Sequence, residues 1–328
     1  MVDGIPELQE KIAEKSIKDY GVSMEGTRKV VVTAGGNMAF LNAVLAITDP
    51  GDEIIQIVPY YFNHEMAVTM ANCISVCVES DEHFYPDVQA IQKAITEKTR
   101  AIVTISPNNP TGAVYSEETL REINALCAER GVYHIHDEAY EYFTYGGIGH
   151  FSPSTIDANT EFTISLFSMS KAYGFASWRI GWMIIPASLV ANVKKIQDTN
   201  VICPPVVSQW AAVGALSEGR DFCRLRIAGL EAVRSTVLER LKDISNIVTV
   251  VPAGGALYLL LAVGTDIADM ALVERLIREY RVAAIPGSTF GIEHGTYLRI
   301  SFGALDEQSV TEGTNRLVRG LKEIVDSK

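Results

Sequence analysis

Lys171 and Arg179 stand in a part of the sequence that is rich in apolar and small residues. Lys171 ends the segment Ser168-Met169-Ser170-Lys171 just after the apolar run 162–167, which predicts an amine at the end of a strand. A lysine can form a Schiff base with a carbonyl cofactor when desolvation beside other cations lowers its pKa. An arginine can bind phosphate through two parallel hydrogen bonds, which a lysine cannot reproduce. The alternatives are a surface lysine and a structural ion pair.

Four more side chains have the chemistry that a flat pyridine ring would need. Asp137 ends the strand-like segment 132–136, and its carboxylate can keep a pyridine nitrogen protonated, which makes the ring an electron sink. Asn109 and Tyr140 offer an amide and a phenol that can both bond a ring oxygen and so set the pKa of a neighbouring imine. Tyr61 can stack on the ring, although aromatic residues in such runs more often belong to the core.

Anionic groups have two further candidate partners in the sequence. Gly35-Gly36-Asn37 lies between a strand and a helix, where backbone N–H groups and the helix dipole favour a phosphate. Arg299 lies in the otherwise apolar strand 297–302, where an unpaired cation would be costly, so a substrate carboxylate is its expected partner. Together with the amine and the carboxylate, these residues predict a site for pyridoxal phosphate (PLP).

A metal site is the main alternative for part of this set. His134 and His136 share one strand face beside Asp137, but the sequence offers no further ligand cluster to complete a site. Cys73 and Cys77 flank a strand-like segment without a second pair, which favours a place in the core. We therefore predict that the protein binds no metal.

Bulk composition narrows the class of protein. The 328 residues are 48% hydrophobic and 21% charged, as in an ordinary globular protein. A formal net charge of -12 argues against a nucleic-acid or anionic-membrane partner, because its field repels phosphate. The sequence has no apolar run long enough for a membrane span and no signal-peptide pattern at its start, and its five cysteines fit reduced thiols, so we predict a cytoplasmic protein.

Short apolar runs alternate with helical patterns over the first two thirds of the chain. The strand-like runs are 29–33, 53–58, 74–78, 101–105 and 132–136, and the helical patterns between them include 38–47, 88–95 and 117–130. This alternation predicts an α/β fold with a mostly parallel sheet flanked by helices. Since ligands bind beyond the carboxyl ends of such strands, the polar groups that follow them should meet in one crevice.

The last third has a different pattern. A long helical pattern over 219–241 is followed by strand-like 256–261, a helix around 271–280, strand-like 297–302 and a closing helix. We predict a large domain over 1–230, with the first ~25 residues a remnant of an N-terminal region, and a small C-terminal α+β domain over 231–328.

With these residues and segments, the chain resembles the class I/II aminotransferases of PLP fold type I over essentially its whole length. The segments that carry the resemblance are Val32-Thr33-Ala34-Gly35-Gly36-Asn37, Ser106-Pro107-Asn108-Asn109-Pro110-Thr111-Gly112, Asp137-Glu138-Ala139-Tyr140, Ser168-Met169-Ser170-Lys171, Trp178-Arg179-Ile180-Gly181 and Pro286-Gly287-Ser288-Thr289-Phe290-Gly291. Each is moderately specific alone, and six in order are hard to obtain by accident.

The resemblance implies a role for each site residue. Lys171 is the lysine that binds the cofactor and later moves the proton of the substrate α-carbon, with Asp137 and Tyr140 as the other catalytic residues. The implied cofactor-binding residues are Gly36, Asn37, Tyr61, Asn109, Asp137, Tyr140, Ser168, Lys171 and Arg179. Asn109 and Arg299 are the implied substrate-binding residues, and Arg299 resembles the clamp for the α-carboxylate.

Two departures from the family pattern are visible. Ser177 precedes Trp178 where the family usually has glycine, a tolerable change in a tight turn. The chain also starts at Gly4-Ile5-Pro6, a point that the family usually reaches after several dozen residues. In the family those residues normally supply an N-terminal arm, part of the small domain, a lid over the substrate and a tyrosine that reaches the partner subunit's phosphate. If the present start is the true one, the resemblance implies impaired cofactor affinity or catalysis. The family is typically dimeric, which predicts a homodimer.

Transfer of an amino group between an L-amino acid and a 2-oxo acid is the predicted reaction. β-Elimination and decarboxylation use the same residues and stay open as alternatives, because orientation at the α-carbon separates them. A domain that senses amino compounds and a truncated, weakly active relative are the non-enzymatic alternatives. One arginine accounts for one carboxylate, and the sequence leaves the substrate side chain undetermined.

Overall fold

The computed structural model describes residues 1–24, 26–251, 253–303 and 306–326. Within these ranges the strands are β1 (Arg28–Thr33), β2 (Glu53–Val58), β3 (Ile74–Glu79), β4 (Thr99–Ile105), β5 (Tyr133–Asp137), β6 (Thr163–Ser168), β7 (Gly181–Pro186), β8 (Val248–Val250), β9 (Tyr258–Val263), β10 (Ile285–Pro286) and β11 (Thr296–Ser301). The α-helices are α1 (Pro6–Tyr20), α2 (Gly36–Ile47), α3 (Phe62–Met70), α4 (Val88–Ala94), α5 (Glu117–Arg130), α6 (Val190–Asn200), α7 (Val206–Leu241), α8 (Asp269–Tyr280) and α9 (Glu307–Asp326).

The larger sheet has the strand order β1-β7-β6-β5-β4-β2-β3. Its pairings are parallel from β3 to β6, and only β7 runs antiparallel to both of its neighbours, β6 and β1. The predicted α/β architecture with a mostly parallel sheet is therefore confirmed. Strand β7 was not predicted, because every residue in it is buried and no polar alternation marks it as a strand.

Local sequence signals explain where the helices begin and end. The side chain of Ser116 accepts a hydrogen bond from the Thr119 N–H at the start of α5, and Glu117 and Glu118 complement the helix dipole. Gly131 ends the helix at φ +68°, a left-handed conformation that glycine adopts without a steric penalty. Because these signals are local, the bounds predicted for α5, 117–130, agree with the observed ones.

The carboxyl ends of β1, β4, β5 and β6 all lie at one edge of the larger sheet. Strand β1 points the same way as β6, because β7 between them is antiparallel to both. The residues that follow these four strands include Gly35, Asn109, Tyr140 and Lys171. Parallel pairing therefore brings distant parts of the chain to the same edge.

A second, antiparallel sheet has the order β10-β11-β9-β8 and packs with α8 and α9. Helix α7 runs from the larger sheet toward it and contains one non-helical residue, Gly219, at φ +72°. The domain boundary that we placed near residue 230 falls inside this helix and stays a prediction.

Helix α1 is anchored by a buried lysine. The Lys15 ammonium lies 2.7 Å from Glu141 Oε2 and 3.2 Å from Asp19 Oδ2, and all three side chains are almost fully buried. The hydroxyl of Tyr142 donates to the Asp19 carboxylate at 2.7 Å, and that of Tyr20 donates to Glu141. Two buried carboxylates therefore depend on one cation.

Replacing Lys15 with methionine should lower the free energy of unfolding by about 3–5 kcal/mol, because it leaves two buried carboxylates without their cation. Lys11→Met on the same helix is the matched control, since Lys11 pairs with Glu14 on the surface at 33% and 65% side-chain exposure. An exposed pair contributes about 0–1 kcal/mol. Urea denaturation of the three proteins measures both changes, and equal losses for the two variants would refute the buried ion cluster.

Candidate active site

One cleft at the carboxyl edge of the larger sheet contains all of the residues predicted to bind the cofactor. Its lining residues are Gly36, Asn37, Tyr61, Ile105, Asn109, Asp137, Ala139, Tyr140, Ser168, Ser170, Lys171, Ala176 and Arg179. Its cavity volume is about 170 Å³. The structure thus brings together residues that are far apart in the sequence.

Lys171 reaches the cleft from the turn after β6. The turn is closed by backbone hydrogen bonds from Met169 N to Ile180 O and from Phe175 N to Met169 O, both 3.1 Å long. The Lys171 ammonium lies 6.0 Å from the centre of the Tyr140 ring and forms no ion pair with any described residue. An amine without a carboxylate partner is available to react with a carbonyl group.

The N-terminus of α2 and the guanidinium of Arg179 form one end of the cleft. No side chain caps this helix and its first two residues line the cleft, so their N–H groups are open to an anion. Arg179 donates to Ala34 O at 3.2 Å and to Ala176 O at 2.9 Å, and its backbone has the left-handed φ of +55°, which few non-glycine residues adopt. A side chain at Gly35, itself at φ +84°, would collide with this guanidinium. The end of the cleft is therefore shaped for an anion.

A carboxylate held by a backbone hydrogen bond and by a contact with a histidine lies in the same cleft. Asp137 Oδ2 is 3.1 Å from His64 Nε2, and Oδ1 accepts from the Ala139 N–H at 2.9 Å. The buried His64 ring stacks on Phe40 with 3.9 Å between ring centres, which fixes its position. His64 was not predicted from the sequence. Its place three residues after Tyr61, at the start of α3, was the only available signal.

Arg299 is tied to the cleft through Asn109. Arg299 Nη1 donates to Asn109 Oδ1 at 2.7 Å, and the guanidinium lies 4.3 Å from the centre of the Tyr258 ring and 5.1 Å from that of Phe290. Burial lowers the pKa of Arg299, and the neighbouring tyrosines oppose that effect. No described carboxylate pairs with this partly buried cation, so a ligand carboxylate would offset the cost of its desolvation.

Tyr140 completes the cleft as a buried phenol. Its hydroxyl lies 2.8 Å from that of Tyr258, a residue that the sequence analysis did not single out. Burial is the main cause that raises the pKa of Tyr140 well above its usual value, so the phenol keeps its proton and can donate a hydrogen bond.

The two histidines considered as metal ligands have other partners. The Thr104 hydroxyl lies 2.8 Å from His134 Nε2 and 2.6 Å from His136 Nδ1. Burial lowers the pKa of His134 to about 3 and that of His136 well below its usual value, so both rings are neutral. Within the described ranges no group of three or more His, Cys, Asp or Glu side chains is arranged to hold a metal ion. In the same ranges no helix combines the length and the apolar character of a membrane span.

Comparisons with known proteins agree with this site. The family profile "Aminotransferase class I and II" matches residues 1–317. A probable aspartate/prephenate aminotransferase of Aquifex aeolicus is 35% identical over 98% of this chain and 82% of its own length. Solved structures include an aspartate aminotransferase of Thermus thermophilus (TM-score 0.89, 33% identity, 97% of this chain and 82% of that one) and an aromatic aminotransferase of Pyrococcus horikoshii (TM-score 0.92, 32% identity, 98% and 87%).

The family profile, the relatives and the solved structures each cover almost the whole chain. The resemblance to class I/II aminotransferases that the motifs indicated is therefore confirmed. The predicted enzyme class is confirmed with it, and amino transfer is favoured over the lyase and decarboxylase alternatives. The chain belongs to the aminotransferases of class I and II.

Proposed function

We propose that this aminotransferase binds PLP in the cleft around Lys171 and exchanges an amino group between an L-amino acid and a 2-oxo acid. One observation carries the proposal: a single cleft joins an unpaired amine, a carboxylate and an anion-binding end. These are the three groups that an aldehyde, a pyridine nitrogen and a phosphate on one small molecule would require.

The residues present fit that molecule. The N-terminus of α2, with Gly36 and Asn37, would hold the phosphate together with Ser168 and Arg179. Asp137, oriented by His64, would face the pyridine nitrogen, and Tyr61 would lie against the ring. Asn109 and Tyr140 would bond the ring oxygen. When bound, PLP supplies an aldehyde that accepts the amino group and a ring that takes up electrons from the substrate α-carbon.

Lys171 has two tasks in this scheme. Its amine would hold the cofactor before substrate arrives, and once free it would carry the proton of the substrate α-carbon. Because Lys171 forms no ion pair with a described residue, breaking a salt bridge is not required for either task.

Arg299 would bind the substrate α-carboxylate. A carboxylate on Arg299 offers a stronger acceptor than Asn109 Oδ1, so substrate binding would replace the present Arg299–Asn109 contact and free the Asn109 side chain. Phe290 and Tyr258, which flank the guanidinium, would partly shield this bond from water.

Aspartate and aromatic amino acids are the proposed substrates. The names of the relatives support this choice, because they include aspartate/prephenate and aromatic aminotransferases. The aromatic side chains around Arg299 are compatible with an aromatic substrate.

A homodimer is proposed as the assembly. The start of α7 and the segment before it expose large apolar side chains, among them Ile202 at 65%, Val207 at 70% and Trp210 at 51%. Such a cluster is unusual on a monomer surface and is typical of an interface. A cytoplasmic location stays a prediction.

Lys171→Ala should abolish the visible absorption band that wild-type protein shows with PLP, and should lower the rate of oxo-acid formation by at least about 10²–10⁴-fold, because the variant lacks both the bond to the cofactor and the proton carrier. Spectroscopy and a coupled oxo-acid assay measure the two effects. Lys195→Ala, an exposed lysine on α6, is the control and should behave as wild type. A band that persists in Lys171→Ala and is trapped by borohydride would contradict the assignment.

Arg299→Lys should lower kcat/KM by about 10–100-fold, because one charge-assisted hydrogen bond to the α-carboxylate, worth roughly 1.5–3 kcal/mol, is lost. Measured with aspartate, phenylalanine and alanine, the loss should be similar for all three, since they share that carboxylate, while wild type should favour the first two. Arg278→Lys, in an exposed ion pair with Glu274, is the control. A loss confined to aspartate would instead assign Arg299 to the substrate side chain.

Trp210→Glu should convert the protein from a dimer, with twice the 35.9 kDa of one chain, into a monomer, because a charge would be buried at the interface. Leu225→Glu is the matched control, since Leu225 lies on the same helix and is 81% exposed. Light scattering after size-exclusion chromatography gives both masses. A monomeric wild type, or dissociation by the control alone, would refute this interface.

A further inference from the structure

We propose that Tyr258 is a positioning residue for amino transfer: its hydroxyl turns the Tyr140 hydroxyl toward the cofactor's ring oxygen, while its ring supports Arg299. The inference rests on the proposed function and assigns a role to a residue outside the lining of the cleft. It also links the two sheets, because Tyr140 follows β5 of the larger sheet and Tyr258 begins β9 of the smaller one.

The two tyrosines form a buried pair. Their hydroxyl oxygens are 2.8 Å apart, and their rings meet edge to face at 80° with 5.7 Å between centres. Tyr258 is 7% exposed and Tyr140 is 5% exposed, so both side chains are largely shielded from bulk water. Only Tyr140 lines the cleft.

The direction of the hydrogen bond follows from the number of protons. Each hydroxyl carries one proton, so the bond between them uses the proton of one tyrosine only. If Tyr140 donated to Tyr258, it would have no proton for a ligand in the cleft. A ring oxygen that accepts from Tyr140 therefore requires Tyr258 to be the donor within the pair. A hydroxyl that accepts one hydrogen bond also becomes a stronger donor of its own, so Tyr258 would strengthen the bond to the ligand.

The Tyr258 ring has a second contact that bears on the site. The Arg299 guanidinium lies over it at 4.3 Å, and Arg299 also donates to Asn109. A cation over an aromatic face is attracted to the ring, which keeps it in place without a carboxylate that would compete with substrate. One side chain thus contacts both the phenol that faces the cofactor and the cation that faces the substrate.

The hydroxyl and the ring can be tested separately. Tyr258→Phe keeps the ring beneath Arg299 and removes only the hydroxyl. A weaker donor at the ring oxygen leaves more negative charge beside the Lys171 nitrogen, which favours the protonated form of that nitrogen. The pH midpoint of the visible absorption change of the PLP-bound protein should therefore rise, by about 0.4–1 pH unit. The groups facing the pair, namely Tyr61, Asp137, Lys171 and Arg299, are unchanged in this variant.

Loss of the hydroxyl and loss of the ring should also have different effects on kcat and KM. In Tyr258→Phe, kcat should fall by about 2–10-fold, as expected for one neutral hydrogen bond, while KM for aspartate stays within about 2-fold. Tyr258→Leu removes the ring as well and should raise KM by at least about 2–5-fold, because Arg299 loses its support. Tyr145→Phe is the control: Tyr145 is a buried phenol that donates to Ala256 O, and its loss should leave the pH midpoint unchanged.

A double variant decides whether Tyr258 acts through Tyr140. Tyr140→Phe alone should raise the pH midpoint further than Tyr258→Phe does. Adding Tyr258→Phe to Tyr140→Phe should then shift the midpoint by less than about 0.2 unit, because the Tyr140 hydroxyl through which Tyr258 acts is absent. Additive shifts, or an unchanged midpoint in Tyr258→Phe, would overturn the inference while leaving the proposed function intact. A wild-type protein with no visible band and no oxo-acid formation would overturn both.

Discussion

Parallel pairing of β4, β5 and β6 is the constraint on which the site depends. Because parallel strands end at the same edge, the residues after them are delivered to one place: Asn109 after β4, the Asp137 carboxylate at the end of β5 and Lys171 after β6. The antiparallel strand β7 adds Arg179, since it enters the sheet from that edge. The reacting groups therefore lie at the strand ends or in the segments that directly follow them.

The balance of charge in the cleft differs from that of the whole protein. The formal net charge is -12, yet Lys171, Arg179 and Arg299 form no ion pairs with described residues, whereas the buried Lys15 is paired with two carboxylates. An anionic ligand requires cations that have no carboxylate partner at the site, even where cations elsewhere in the protein are paired. Local cations thus offset the repulsion that the rest of the molecule would exert on a phosphate or a carboxylate.

The reacting residues could be predicted from the sequence more fully than the residues that position them. Lys171 and Asp137 stand at or just after recognisable strand ends, so their positions could be inferred from local pattern. Their supporting contacts join residues far apart in the chain: Tyr140 with Tyr258, 118 positions away, and Arg299 with Asn109, 190 positions away. Such contacts depend on how the two sheets meet, which no local pattern encodes. Strand β7 was missed for a related reason, because complete burial removes the alternation that identifies a strand.

The most direct test asks which atom of the protein bonds the cofactor. Protein incubated with PLP and reduced with borohydride is digested, and the modified peptide is sequenced by mass spectrometry. We expect one cofactor-sized adduct per chain, on the lysine that follows Ser168-Met169-Ser170. An adduct on another lysine, or none under conditions in which the protein forms oxo acid, would contradict the account.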